Sequence, residues 1–206
     1  MKMRIASLTL LALCLAAVPA MADVYNNGPI NGNTDAWTIN SGFEVSDTFT
    51  TAGGAVTGLQ FGVWAFPGDT VTSVEVSITS QEFGGTTFFD GTVNLSQSGC
   101  VINSFGFDVC TETGSFNTTL FSAGTYWLNL QNASVPSGDQ VYWDENSGPS
   151  SASESFVGTI PSEAFTILSI TTLTTTGGTT PEPSSIMLFG SGILGCLSVL
   201  KRKMNF

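Results

Sequence analysis

The chain has 206 residues, room for one domain plus processing segments. All five basic residues lie at the ends (Lys2, Arg4, Lys201, Arg202, Lys203), so Asp23–Thr180 sets fifteen Asp and Glu against no Lys, Arg or His. With carboxyls near reference pKa values this stretch carries roughly −15; that excludes nucleic acid as a partner, internal salt bridges, Ser-His-Asp triads, Cys-His pairs, Ser-Lys dyads and histidine-bearing metal sites.

Residues 1–22 have the three parts of a secretory signal peptide: basic Lys2 and Arg4, an apolar run from Ile5 to Val18, and Ala20-Met21-Ala22 as the small-x-small site for signal peptidase. Cleavage after Ala22 would start the mature chain at Asp23. Cys14 does not make a lipoprotein site, because Leu13 precedes it where a small residue belongs and the apolar run continues past it.

Residues 23–173 read as an all-β ectodomain, rich in Thr, Val, Phe, Trp and Tyr and broken at short intervals by Gly, Asn, Asp and Pro. Alternation is cleanest at 71–80, where Val74, Val76 and Ile78 oppose Ser73, Glu75, Ser77 and Thr79. At 59–66, Leu59, Phe61, Val63 and Ala65 share a face. At 124–131, Tyr126, Leu128 and Leu130 point in and Trp127, Asn129 and Gln131 point out. Further strands are expected near 37–39, 43–49, 88–95, 116–121, 141–143 and 164–170. Turn formers separate them: Asn31-Gly32, Pro67-Gly68-Asp69, Ser137-Gly138-Asp139 and Asn146-Ser147-Gly148-Pro149. Eight to ten short strands with such turns predict an antiparallel β-sandwich. The run Leu120-Phe121-Ser122-Ala123-Gly124-Thr125-Tyr126-Trp127-Leu128 resembles the late strand pair of jelly-roll domains, which makes the expected sandwich jelly-roll-like.

Three sites are candidates within this domain. Cys100 and Cys110, ten apart with Gly, Asn and Phe between or beside them, suggest a disulfide stapling a hairpin loop in an exported protein. The oxygen-rich group Asp139, Asp144, Glu145 and Asn146 is of the kind that suits calcium, although it lacks EF-hand or nonapeptide spacing. A glycan-binding face would form from Trp127, Asn129 and Gln131 together with Trp64, provided that their two strands are neighbours, since sugars present an apolar face to rings and hydroxyls to planar amides. Catalysis would have to rest on a carboxylate pair of the glycoside-hydrolase type; with fifteen acids such a pair arises by chance, and the domain is expected not to be an enzyme.

Residues 174–180, Thr- and Gly-rich, form a linker whose composition builds no core. The tail at 181–206 begins with Pro181-Glu182-Pro183-Ser184-Ser185, continues as an apolar run from Ile186 to Leu200, and ends in Lys201-Arg202-Lys203. Fifteen residues make a helix of about 22 Å, short for a hydrocarbon core of about 30 Å, so a transmembrane helix here suits a transient anchor. The basic residues should stay cytoplasmic, leaving an extended, proline-bracketed Glu182 at the outer face. Gly190-Ser191-Gly192-Ile193-Leu194-Gly195 matches a dinucleotide-binding pattern by letter, but no strand precedes it and no acidic residue follows. The tail resembles the PEP-CTERM sorting signal, processed by membrane exosortases. The resemblance implies cutting at Pro181, Glu182 and Pro183, passage through the inner membrane of a Gram-negative-type bacterium, and a life at the cell surface or in the matrix beside exopolysaccharide. It says nothing of what the delivered domain binds.

Overall fold

The computed structural model describes residues 21–170; the chain divides into units Met1–Thr171 and Thr172–Phe206, and every described residue belongs to the first. Among these residues all regular elements are strands: β1 (Met21–Asn26), β2 (Ala36–Thr38), β3 (Glu44–Thr51), β4 (Gly54–Ala65), β5 (Ser73–Gln81), β6 (Gly84–Ile102), β7 (Asp108–Leu120), β8 (Gly124–Ser134), β9 (Tyr142–Asn146), β10 (Ala152–Glu154), β11 (Gly158–Ile160), β12 (Ser162–Glu163) and β13 (Phe165–Ile170). The linker, the sorting motif and the expected membrane helix lie outside them.

All pairings are antiparallel, and the neighbours run β1-β13-β4-β7-β6-β5-β8-β3-β10-β11, with β9 joined to β2, β4 and β12. The nineteen-residue β6 lets the sheet curl: Gly84–Asn94 pairs with β5, whereas Leu95–Ile102 pairs with β7. One strand therefore belongs to two limbs. The curl brings Phe49 of β3 within 6.5 Å of Phe165 in β13 and 6.0 Å of Tyr25 in β1, ring centroid to ring centroid.

The predicted inward faces pack as alternation requires. Val74, Val76, Ile78, Leu59, Phe61, Val63, Ala65, Leu128 and Leu130 are all fully buried, each side chain contributing about 1.5–3 kcal/mol when wholly removed from water, alanine less. Burial and backbone ladders must supply the stability, since no cation exists between Asp23 and Thr180 to form an ion pair. Gly58 marks a close approach of two strands: a Cβ there would collide with the Gly114 carbonyl on the neighbouring strand.

Several expectations are corrected. The strands at 88–95 and 116–121 are pieces of the much longer β6 and β7, whose Thr- and Ser-rich halves pair through register rather than apolar content. Phe121 lies past the end of β7 and is 88 % exposed. Asn129 is buried instead of solvent-facing, because its amide donates to Ser77 Oγ and Thr79 Oγ1 at 3.0 and 2.9 Å and its Oδ1 accepts from Phe83 N at 3.3 Å.

Candidate functional site

Trp64 and Trp127 occupy strands that are not neighbours, β4 and β8, so the proposed face of Trp64, Trp127, Asn129 and Gln131 does not form. β4 lies between β13 and β7, β8 between β5 and β3. Trp64 is also covered, 5 % exposed, with its indole N–H donating to Asp144 Oδ1 at 2.6 Å. Only Trp127 and Gln131 of the four stay partly accessible.

Trp64 instead floors a different aromatic surface. Phe105 stacks on it at 5.5 Å, Phe107 lies at 5.9 Å, Phe66 meets Phe107 at 5.2 Å and Tyr142 meets Phe107 at 5.6 Å. The rings come from the end of β4, the β6–β7 loop and the start of β9, and a cleft of about 150 Å³ opens between Asp35, Ala36, Trp64, Phe107 and Tyr142. Phe105 and Phe66 are 58 % and 41 % exposed. The Tyr142 hydroxyl donates to Gln140 Oε1 at 2.7 Å. A larger cleft of about 290 Å³ is lined by the 30–33 turn together with Val101, Ile102 and Val109. The loop carrying Phe105 and Phe107 is stapled at its base by a Cys100–Cys110 disulfide, Cα atoms 4.1 Å apart. Sequence reasoning missed this surface, although the Phe105–Phe107 pair on a cysteine-closed loop was a readable signal.

The calcium quartet is not brought together. Asp144 is fully buried and spends its carboxylate inside the protein: Oδ2 accepts from Asn31 N at 2.8 Å, and Oδ1 from Gly32 N at 2.9 Å and Trp64 Nε1. Glu145, on the opposite face of β9, accepts from Trp37 Nε1 at 3.0 Å. Asn146 turns its amide on Asn27 O and Pro29 O. Asp139 is exposed, and what it contributes to packing is its backbone carbonyl, taken by Asn40 Nδ2. Strand alternation separates neighbours that lie together in sequence, and among the described residues no group of three or more His, Cys, Asp or Glu is arranged to hold a metal ion.

What the fold does assemble is a buried polar knot that spans the chain. Asn27, just past β1, meets Asp47 of β3, Ser150 of the β9–β10 connection, and Ser162 and Glu163 of β12. Asp47 Oδ2 also accepts from Glu163 N at 2.7 Å, and Oδ1 from Thr48 N. Burial pushes the Asp47 carboxyl up to about 6, held back by its hydrogen bonds from Ser150, Glu163, Thr48 and Asn27. Glu163 goes well above the ordinary glutamate range, first through burial and then through the nearby carboxylates of Asp47, Glu145, Asp144 and Asp35; neither of its oxygens has a hydrogen-bond partner. Gly148 admits the chain to this knot, since a Cβ there would strike Asn27 O. No local motif announces these residues, which lie up to 136 positions apart.

Of the processing residues, Ala20, Pro181, Glu182 and Pro183 lie outside the described region. Ala22 sits in β1 opposite Ser169, so cleavage after it removes two registered positions and leaves Asp23, Tyr25 and Asn26 paired with β13. At the other end, the family model described as the PEP-CTERM protein-sorting motif matches residues 179–203. The chain carries a PEP-CTERM sorting signal. That signal marks an exported protein sorted to the cell surface and processed by an exosortase. No curated protein and no solved structure matches the chain, so the PEP-CTERM match describes the tail and leaves the β domain to be read from its own geometry.

Proposed function

We propose that this PEP-CTERM protein is a non-enzymatic structural component of the extracellular matrix or exopolysaccharide layer, released from an inner-membrane intermediate as a free, acidic β domain. What supports this reading is the sorting motif matched at residues 179–203, together with the expected signal peptide at the other end, around a domain without a Lys, Arg or His. Once both ends are removed, every Lys and Arg has gone, the new α-amino group is the one cation left, and the polyanionic domain has no electrostatic reason to stay on an anionic membrane. A two-layer, jelly-roll-like arrangement is part of the same reading; it is supported by β6 serving both limbs and by Phe49 meeting Tyr25 and Phe165 across them. Sorting is tested by Glu182→Ala and by deletion of the exosortase, each expected to leave uncut protein in the membrane fraction. Wild-type protein that keeps its C-terminus in that fraction would reduce the tail to a plain anchor.

A second reading, display of a carbohydrate-binding module, is favoured by the exposed rings around Trp64 rather than by Trp127. Phe66 and Phe105 offer apolar platforms, and Asp35, Gln140 and the Tyr142 hydroxyl surround them with polar groups suited to sugar hydroxyls. A polyanion selects neutral glycans over uronic ones. Phe105→Ala should weaken retention on the producer's neutral exopolysaccharide at least tenfold, with Trp127→Ala unchanged; equal retention of both variants and wild type would remove this surface.

A further inference from the structure

Asn27 is fully buried, and its side-chain nitrogen faces four oxygens: Ser150 Oγ at 2.6 Å, the Glu163 carbonyl at 2.7 Å, Ser162 Oγ at 2.8 Å and Asp47 Oδ2 at 3.2 Å. A primary amide has two hydrogens to give, so the nitrogen stands among more acceptors than it can serve. Its carbonyl end is engaged differently. The Tyr25 hydroxyl donates to Asn27 Oδ1 at 2.8 Å, aimed where negative charge would gather if a nucleophile attacked Cγ. Ser150 supplies a hydroxyl beside that amide and also hydrogen-bonds the Asp47 carboxyl. Asp47 touches both the Ser150 hydroxyl and the amide nitrogen, the positions of a base and then of an acid. Nucleophile, proton carrier, polarised carboxamide and oxyanion donor thus meet in one buried knot.

We propose that this knot matures into a covalent cross-link, an ester joining Ser150 Oγ to Asn27 Cγ with loss of ammonia. Ser150 Oγ attacks Cγ as its proton passes to Asp47, and the Tyr25 hydroxyl steadies the oxyanion. Asp47 then returns the proton to the amide nitrogen, the C–N bond breaks, and ammonia leaves as the C=O re-forms. One C–O bond replaces one C–N bond, and nothing is oxidised or reduced. Two observations favour this chemistry here. Burial raises the Asp47 carboxyl to about 6, close enough to neutrality to accept and release a proton. Moreover, no lysine exists between Asp23 and Thr180 and both cysteines of the domain are joined to each other, so hydroxyls are the available nucleophiles. The link would fasten the end of β1, next to the expected new N-terminus, to the β9–β10 connection 123 residues away.

The test is the intact mass of the exported chain, taken after reduction so that the disulfide does not contribute. The expected mass is lower than the sequence mass by one ammonia. A glutamate-specific protease should release the Asn27 and Ser150 peptides joined; trypsin has no site between Asp23 and Thr180. Ser150→Ala should restore the full mass and Ser162→Ala should not. A wild-type mass equal to the sequence, or Asn27 hydrolysed without a linked peptide, overturns the proposal, as does a link through Ser162. The wild-type mass and peptide map decide the matter even where a variant fails to fold.

Discussion

Raising the pH should weaken this domain, and Glu112 is the group through which the effect is most directly tested. Glu112 sits in β7 with the inward parity of Cys110 and Phe116, fully buried, and neither carboxyl oxygen has a hydrogen-bond partner. The side chain placed to help, Gln97 across the ladder, is already committed: its amide donates to Asp69 O and its Oε1 accepts from Val71 N. Burial alone raises the Glu112 carboxyl from 4.5 to about 8. Because the folded value lies above the unfolded one, the contribution is fully present below about pH 4.5, declines as pH rises, and is gone above about pH 8. At about 1.4 kcal/mol per pH unit the whole interval amounts to about 5 kcal/mol, of which about 3 is lost by neutrality. Urea unfolding of the Asp23–Thr176 fragment at about pH 5, 6, 7 and 8 reads this directly. Wild type should lose several kcal/mol across the series. Glu112→Leu, which removes the ionisable group without leaving an unpaired oxygen, should lose much less and be the more stable protein at about pH 8. Asp47 and Glu163 act in the same direction, so the variant's slope should flatten without vanishing. Equal slopes for the two proteins, or a wild type that gains stability toward pH 8, would refute the reasoning.

Asp144→Asn should destabilise the fold by about 3 kcal/mol, since an amide cannot accept from the Asn31, Gly32 and Trp64 N–H groups at once and leaves at least one donor stranded; the urea midpoint and the tryptophan emission of the variant check it, and an unchanged midpoint would mean that the 30–35 turn does not depend on this carboxylate. Replacing both Cys100 and Cys110 by serine should cost roughly 2–3 kcal/mol through the freed loop of the unfolded chain, measured by the same titration. Should the aromatic surface bind glycan, that double variant should also bind more weakly, because the loop bearing Phe105 and Phe107 loses its base.

Residue pattern by itself determined the class of this protein and its destination. Alternation put Val74, Val76 and Ile78 on one side and Thr and Ser on the other, and such a pattern has one stable use, a strand with one face in the core. The sorting tail was legible because all three of its parts are contiguous. Cys110, Glu112 and Phe116 share a parity, so the burial of Glu112 was also within reach of the residues. What alternation does not say is which other face is covered. Trp64 is on the outer side of β4, yet the 30–36 segment and β9 close over it through Asp144, so both faces of the strand's last five residues, Phe61 to Ala65, are buried. Nor does alternation assign neighbours: β4 and β8 were candidates to form one face and lie in different limbs, because β6 turns the corner between them. The knot of Asn27, Asp47, Ser150, Ser162 and Glu163 belongs wholly to tertiary structure. Its members have no common spacing, and only the curl of the sheet brings an N-terminal amide to a serine and a carboxylate from distant strands.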